Sequence, residues 1–213
     1  MKRATYTFSA ADTAAVCQSQ TKATSGALTL NGTLVDGPST MTGVPYVKLP
    51  GIQRNVSLTS SGNLSAQTFT VNGSDLTGSA IGETLSGPNN NTVSTTGQFN
   101  KVTGVSSNSG VGTGVLVGTG PVGKTNWFIV DYYISPPSIY AEATITSTAN
   151  IDVQYTPDDV QTVVSPTTFK TISGASTSSD ATMSSSVGAV RGVVNSSSGA
   201  TSAVTFNITQ AGW

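Results

Sequence analysis

The chain of 213 residues carries nine basic and ten acidic side chains, a net charge of −1, and no histidine. Its 9% of charged residues stands against about 25% in ordinary soluble domains, and its scattered bases form no stripe for a phosphate backbone, which argues against nucleic-acid binding. The lack of histidine removes Ser–His–Asp and Cys–His catalysis and most transition-metal sites.

Ser and Thr together number 64 of the 213 residues, with 23 Gly besides. Disordered chains with so few charges also lack β-branched and aromatic residues, whereas Val, Ile, Thr, Tyr and Phe are plentiful here. The composition therefore predicts an all-β protein with a neutral, hydroxyl-rich surface. The length suits one large domain or two small ones and can bury a core. No apolar run approaches a membrane helix. The first sixteen residues contain no apolar h-region, so no signal peptide is expected. Cys17, the sole cysteine, is expected to act as a small, partly buried hydrophobe.

Residues 1–24 are expected to form a short N-terminal arm. Within it Ala10, Ala11, Ala14, Ala15 and Val16 could make one or two helical turns capped by Ser9, or the segment could lie extended on a neighbour. From Ala27 the pattern has period two. ALTLNGTLV at 27–35 carries Asn31-Gly32, a hairpin signal. RNVSLTS places Val56 and Leu58 on one face, and AQTFTVNG does the same with Phe69 and Val71. AIGETLSG, FNKVTGVSS and GTGVLVGTG (Gly112 to Gly120) follow, separated by turn residues. Strands recurring at this interval indicate a sandwich or barrel.

Pro121-Val122-Gly123 is expected to interrupt the chain before the aromatic run WFIVDYY at 127–133. Further strands are predicted in IYAEATITS, NIDVQYT, QTVVS, TTFKTIS, AVRGVVNS and AVTFNIT, with a loop over 173–186. The expected fold is thus all-β: two small antiparallel β-sandwich domains of jelly-roll or Ig-like type, at 25–122 and 123–213, behind the arm of 1–24.

Little in the chain suggests chemistry. Pro157-Asp158-Asp159 follows one strand and precedes another, so it reads as a turn; two adjacent carboxylates are too few for calcium. Asn72 to Asp75 reads as a loop with Asx-turn chemistry. The glycines of 104–120 lack the order and the helix of a phosphate loop. No catalytic residue, cofactor or metal is expected. Trp127, Phe128, Tyr132 and Tyr133 fit either a core strand or an aromatic interface patch. Tyr6, Phe8, Trp127, Tyr132, Tyr133 and Trp213 form the candidate protein–protein interface.

Several segments together resemble structural proteins of tailed bacteriophages. They are Thr59 to Asn63, Thr68 to Asp75, Glu83 to Gly87, Phe99 to Val105 and Val115 to Gly120. The aromatic-Asp-Tyr run at 127–133, VQYTPDDV at 153–160 and VTFNITQAG at 204–212 extend the resemblance over about 35–212. It implies a virion protein, assembled in the host cytoplasm: a head decoration or cement protein that contacts the major capsid protein and self-associates as a trimer. A neck, tail or fibre-attachment role is the alternative. A carbohydrate-binding module using aromatics between Trp127 and Tyr140, and a hydrolase, are the readings from other classes.

Overall fold

The computed structural model describes residues 1–36, 45–131, 133, 138–160, 170–174, 179–183, 187–197 and 202–211. Among them there is no helix, and every strand pairing with a defined register is antiparallel. In chain order the strands are β1 (Lys2–Phe8), β2 (Cys17–Lys22), β3 (Gly26–Ala27), β4 (Val35–Asp36), β5 (Tyr46–Lys48), β6 (Ile52–Ser60), β7 (Thr68–Ser74), β8 (Ala80–Ser86) and β9 (Thr92–Phe99). They continue as β10 (Lys101–Ser107), β11 (Val111–Thr125), β12 (Phe128–Ile129), β13 (Ser138–Ile145), β14 (Ala149–Thr156), β15 (Lys170–Gly174), β16 (Ser179–Met183), β17 (Ala189–Ser197) and β18 (Val204–Ala211).

The chain forms two compact units, one of Ala11–Gly120 and one of Met1–Ala10 with Pro121–Trp213. In the first, one sheet runs β4-β5-β10-β7-β8, with β3 added to β10. Alternation along these strands is strict where it matters. Phe69, Val71, Val102 and Val47 are buried, while Thr70 and Thr84 meet hydroxyl to hydroxyl on the outer face at 2.8 Å. Strands β2, β11, β6 and β9 supply Cys17, Val111, Val115, Val117, Val56, Leu58 and Phe99 to the same core.

Strand β6 departs from the amphipathic pattern, because Gln53, Asn55 and Ser57 are buried as well as Val56 and Leu58. Gln53 finds a partner in the turn after β7. The Leu76 N–H donates to Gln53 Oε1 at 3.1 Å. Opposite Val56 the β6–β9 register shifts between Asn55 and Ser57. There the Val56 N–H donates to Thr95 Oγ1 at 2.9 Å, and that hydroxyl donates in turn to the Gly97 carbonyl. A side chain thus replaces a rung that the bulge removes. Glu83 completes the clamp: its carboxylate points inward from β8 and accepts the Thr96 and Gly97 N–H groups at 2.8 and 2.6 Å.

The second unit has the sheet β1-β18-β13-β16, and strands β15, β14 and β17 pair in that order. β12 and the last residues of β11 also pair with β17. Phe8, Phe206, Ile208, Ile139, Ile151 and Val194 are buried. Phe8 meets Phe206 edge-on, with ring centroids 6.1 Å apart. A Cβ on Gly192 of β17 would stand 2.5 Å from the Phe206 ring, so glycine lets β17 and β18 come together there.

Several sequence expectations differ from this arrangement. Residues 1–24 do not stand apart as an arm, and no helical turn forms over 10–16. β1 pairs with β18 along all seven residues, and Val16 and Cys17 are fully buried. The small residues at 10–16 give little helix-stabilising surface, whereas β11 and the segment 32–34 supply backbone partners to Asp12, Ala14, Ala15 and Val16. Asn31-Gly32 does not close a hairpin. Gly32, Thr33 and Leu34 instead donate to the carbonyls of Val16, Ala14 and Ala15. Asn72 to Ser74 continue β7, and only Asp75 makes the Asx turn, accepting the Thr77 N–H at 2.8 Å. β11 runs through Pro121-Val122-Gly123 without a break. Part of the loop expected at 173–186 is β16, which pairs with β13. Strand β9 carries no apolar alternation that marks it in the sequence, because TVSTTGQF has only two apolar residues. QTVVS at 161–165 lies outside the described residues.

Burial raises the Cys17 thiol from its ordinary 9.0 to about 12. The folded protein therefore keeps a proton that the unfolded chain releases near pH 9, so this contribution to stability is intact below pH 9 and is lost as pH rises toward 12. Cys17→Ala is expected to flatten that part of the alkaline stability profile in paired urea titrations, and wild-type Cys17 to react with a thiol reagent only on unfolding. Phe8→Ala is expected to lower unfolding free energy by about 3–5 kcal/mol; a loss under about 1 kcal/mol would mean that β1 is a detachable arm after all.

Candidate interaction surface

The aromatic segment after β11 is held at both ends. At its start Thr125 Oγ1 accepts the Gly192 N–H at 3.0 Å and donates to the Asn126 carbonyl at 2.7 Å. At its end Gln210, fully buried, grips the backbone of Asp131 twice. Its Oε1 accepts the Asp131 N–H and its Nε2 donates to the Asp131 carbonyl, both at 2.8 Å. Between them β12 pairs with β17, which seats Phe128 in the interior. Lys2 caps this seat. Its ammonium lies 5.1 Å from the Phe128 ring centroid and donates to the Ile129 carbonyl at 2.5 Å.

Trp127 lies at the half-buried margin of the segment. The Arg191 guanidinium stacks 4.3 Å from its ring centroid. Arg191 is in turn oriented by Gln154, directly opposite on β14, whose Oε1 accepts from Nε at 2.8 Å and Nη2 at 2.7 Å. Desolvation lowers the Arg191 pKa to about 10, which leaves it protonated at neutral pH. Beyond Asp131 the chain turns again: the Tyr133 N–H donates to Asp131 Oδ1 at 3.0 Å, and the Tyr133 side chain is 97% exposed.

The interface candidates thus separate. Phe8 is core. Tyr6 lies half-buried on the same inward face of β1, and burial raises its phenol pKa. Trp127 lies within the pinned segment at the surface, and exposed Tyr133 lies two residues beyond its Asp131 end. Tyr132 and Trp213 lie outside the described residues. Sequence reading missed Arg191, Gln154 and Gln210. The signal for Arg191 was present, a lone cation within the apolar strand AVRGVVNS, but its partner is remote in sequence.

The chemistry of this surface is that of recognition by stacking and hydrogen bonding. Among the described residues no three His, Cys, Asp or Glu side chains gather where they could hold a metal ion. No helix of the described residues is long and apolar enough to cross a membrane. No protein-family model matches the chain, and no curated protein matches it significantly in sequence.

Arg191→Ala is expected to cost about 1–3 kcal/mol, since it removes a stacked cation and leaves Gln154 without its charged donor. It should also shift Trp127 emission to longer wavelength as water reaches the ring. Tyr133→Ala is expected to stay within about 0.5 kcal/mol of the parent. Equal losses from both substitutions, read by denaturant unfolding, would contradict this division of roles.

Proposed function

We propose that the chain is a structural component of a bacteriophage virion, assembled in the host cytoplasm. In this reading it is a capsid decoration or cement protein that bridges neighbouring major capsid subunits. It associates with copies of itself, as a homotrimer, and works without catalysis or cofactor. Each unit is read as an antiparallel β-sandwich of jelly-roll or Ig-like type, in keeping with the close approach of β17 and β18 at Gly192 and Phe206.

The observation that carries the proposal is the way charge is handled. Lys2, Lys22 and Arg54 donate to backbone carbonyls, Arg191 to an amide, and Lys2, Lys101 and Arg191 lie over aromatic rings. Contacts of this kind lose less to salt than exposed ion pairs do, which suits a particle that passes between cytoplasm and environment. Cross-strand hydroxyl pairs, Thr59 with Thr92 at 2.8 Å and Thr7 with Thr205 at 3.3 Å, extend the same neutral chemistry across the outer faces. The pinned display of Trp127, with exposed Tyr133 two residues beyond the held Asp131, fits a protein–protein contact, since aromatic side chains dominate such interfaces.

The test is the number of copies in purified particles, by quantitative mass spectrometry against the major capsid protein. A ratio near one to one is the outcome expected of a lattice cement protein. A few dozen copies or fewer would move the chain to the neck, tail or fibres, and its absence from particles would end the virion reading.

A further inference from the structure

We propose that a groove on the Ala11–Gly120 unit binds an acidic sugar through its carboxylate. The groove encloses about 350 Å³ between β5, β10 and the turn that follows β7, within the range of small-ligand sites. Tyr46, Lys48, Ser74, Thr77, Asn100 and Lys101 contribute to its lining.

Lys48 and Lys101 carry the argument. They are direct cross-strand partners in the antiparallel β5–β10 pair, so their side chains leave the same face of the sheet. Like charges placed directly opposite each other destabilise a sheet. Lys101 is partly compensated by Tyr46, whose ring centroid is 4.1 Å from its ammonium. Lys48 has no hydrogen-bonding, ionic or aromatic partner among the described residues, in a chain whose other described cations are so consistently given one. An anion seated between the two ammonium groups would relieve the repulsion and supply that partner.

Asp75 decides what kind of anion. Its Oδ1 is occupied by the Thr77 N–H at 2.8 Å, the Thr77 hydroxyl at 2.6 Å and the Ser79 N–H at 3.0 Å. Its Oδ2 has no donor among the described residues and belongs to a residue that lines the groove. A ligand that carries only negative charge would be repelled by this carboxylate, and by exposed Asp36, which faces Tyr46 across β4 and β5. A sugar acid meets both demands. Its carboxylate takes the lysine donors, and its hydroxyls donate to Asp75 and exchange hydrogen bonds with Ser74 and Thr77. The inference concerns binding alone and stands independently of the virion reading.

The experiment is an amide-resolved NMR titration of the full chain at low ionic strength with three probes: tri-galacturonate, the neutral galactose trisaccharide and tri-glutamate. Tri-galacturonate is expected to give saturable shifts confined to residues 46–48, 74–78 and 100–101, with the two other probes far weaker. Lys48→Ala, at an exposed site, removes the like-charge repulsion, so it should hold or slightly raise the thermal midpoint, and it should weaken tri-galacturonate binding by roughly tenfold or more, the loss of one charge-assisted hydrogen bond. Added salt should weaken binding in parallel. The proposal is overturned if no saturable shift appears at these amides, if Lys48→Ala binds as well as the parent, or if tri-glutamate binds as tightly, since the groove would then read charge without the sugar.

Discussion

Satisfying polar groups with almost no charge is the constraint on which this structure depends. Every buried N–H and C=O needs a partner, and a chain with ten carboxylates in 213 residues cannot provide many ionic ones. Sheet ladders meet most of the demand. Where a ladder is interrupted, a hydroxyl, an amide or a single well-placed carboxylate takes over, as Thr95 and Glu83 do around the β9 bulge and Gln210 does at Asp131. The abundance of Ser, Thr, Asn and Gln is therefore structural as well as superficial.

The buried cations follow from the same constraint. Arg54 is 3% exposed and donates to the Gly120 carbonyl at 2.9 Å, and desolvation lowers its pKa to about 10. A carbonyl dipole gives up less on desolvation than a carboxylate does, so this arrangement avoids part of the cost of burying an ion pair. Stacking on aromatic rings works the same way for Lys101 and Arg191. Lys48 stands out against this background, since none of the described residues takes its charge.

Close approach is the second theme, and glycine makes it possible. A Cβ on Gly118 of β11 would collide with the backbone of Asp12 and Thr13, the segment that leads into β2. The Thr119 N–H donates to the Asp12 carbonyl at 2.9 Å in the same place. Gly114 against Ser19 and Gly120 against the Asn55 side chain serve close packing inside the same strand, whereas a Cβ on Gly112 would meet open space. The consequence for function is rigidity: residues 11–17 are locked against β11, which suits the fixed presentation of a surface better than the exchange of a loose arm.

The sequence by itself determined the all-β class, most of the strands, and the shared buried faces of Val56 with Leu58 on β6 and of Phe69 with Val71 on β7, because period-two alternation of apolar residues is a local property. It also determined the neutral, hydroxyl-rich surface, since composition sets that directly. Only the tertiary structure decided that residues 2–8 complete the sheet of the C-terminal strands, that Asn31-Gly32 docks on residues 14–16, and that β11 passes through Pro121. Each depends on a partner distant in the chain. The same holds for Arg191 on Trp127 and for Lys48 beside Lys101. Local sequence records which groups need partners, and the register between remote strands settles which groups they meet.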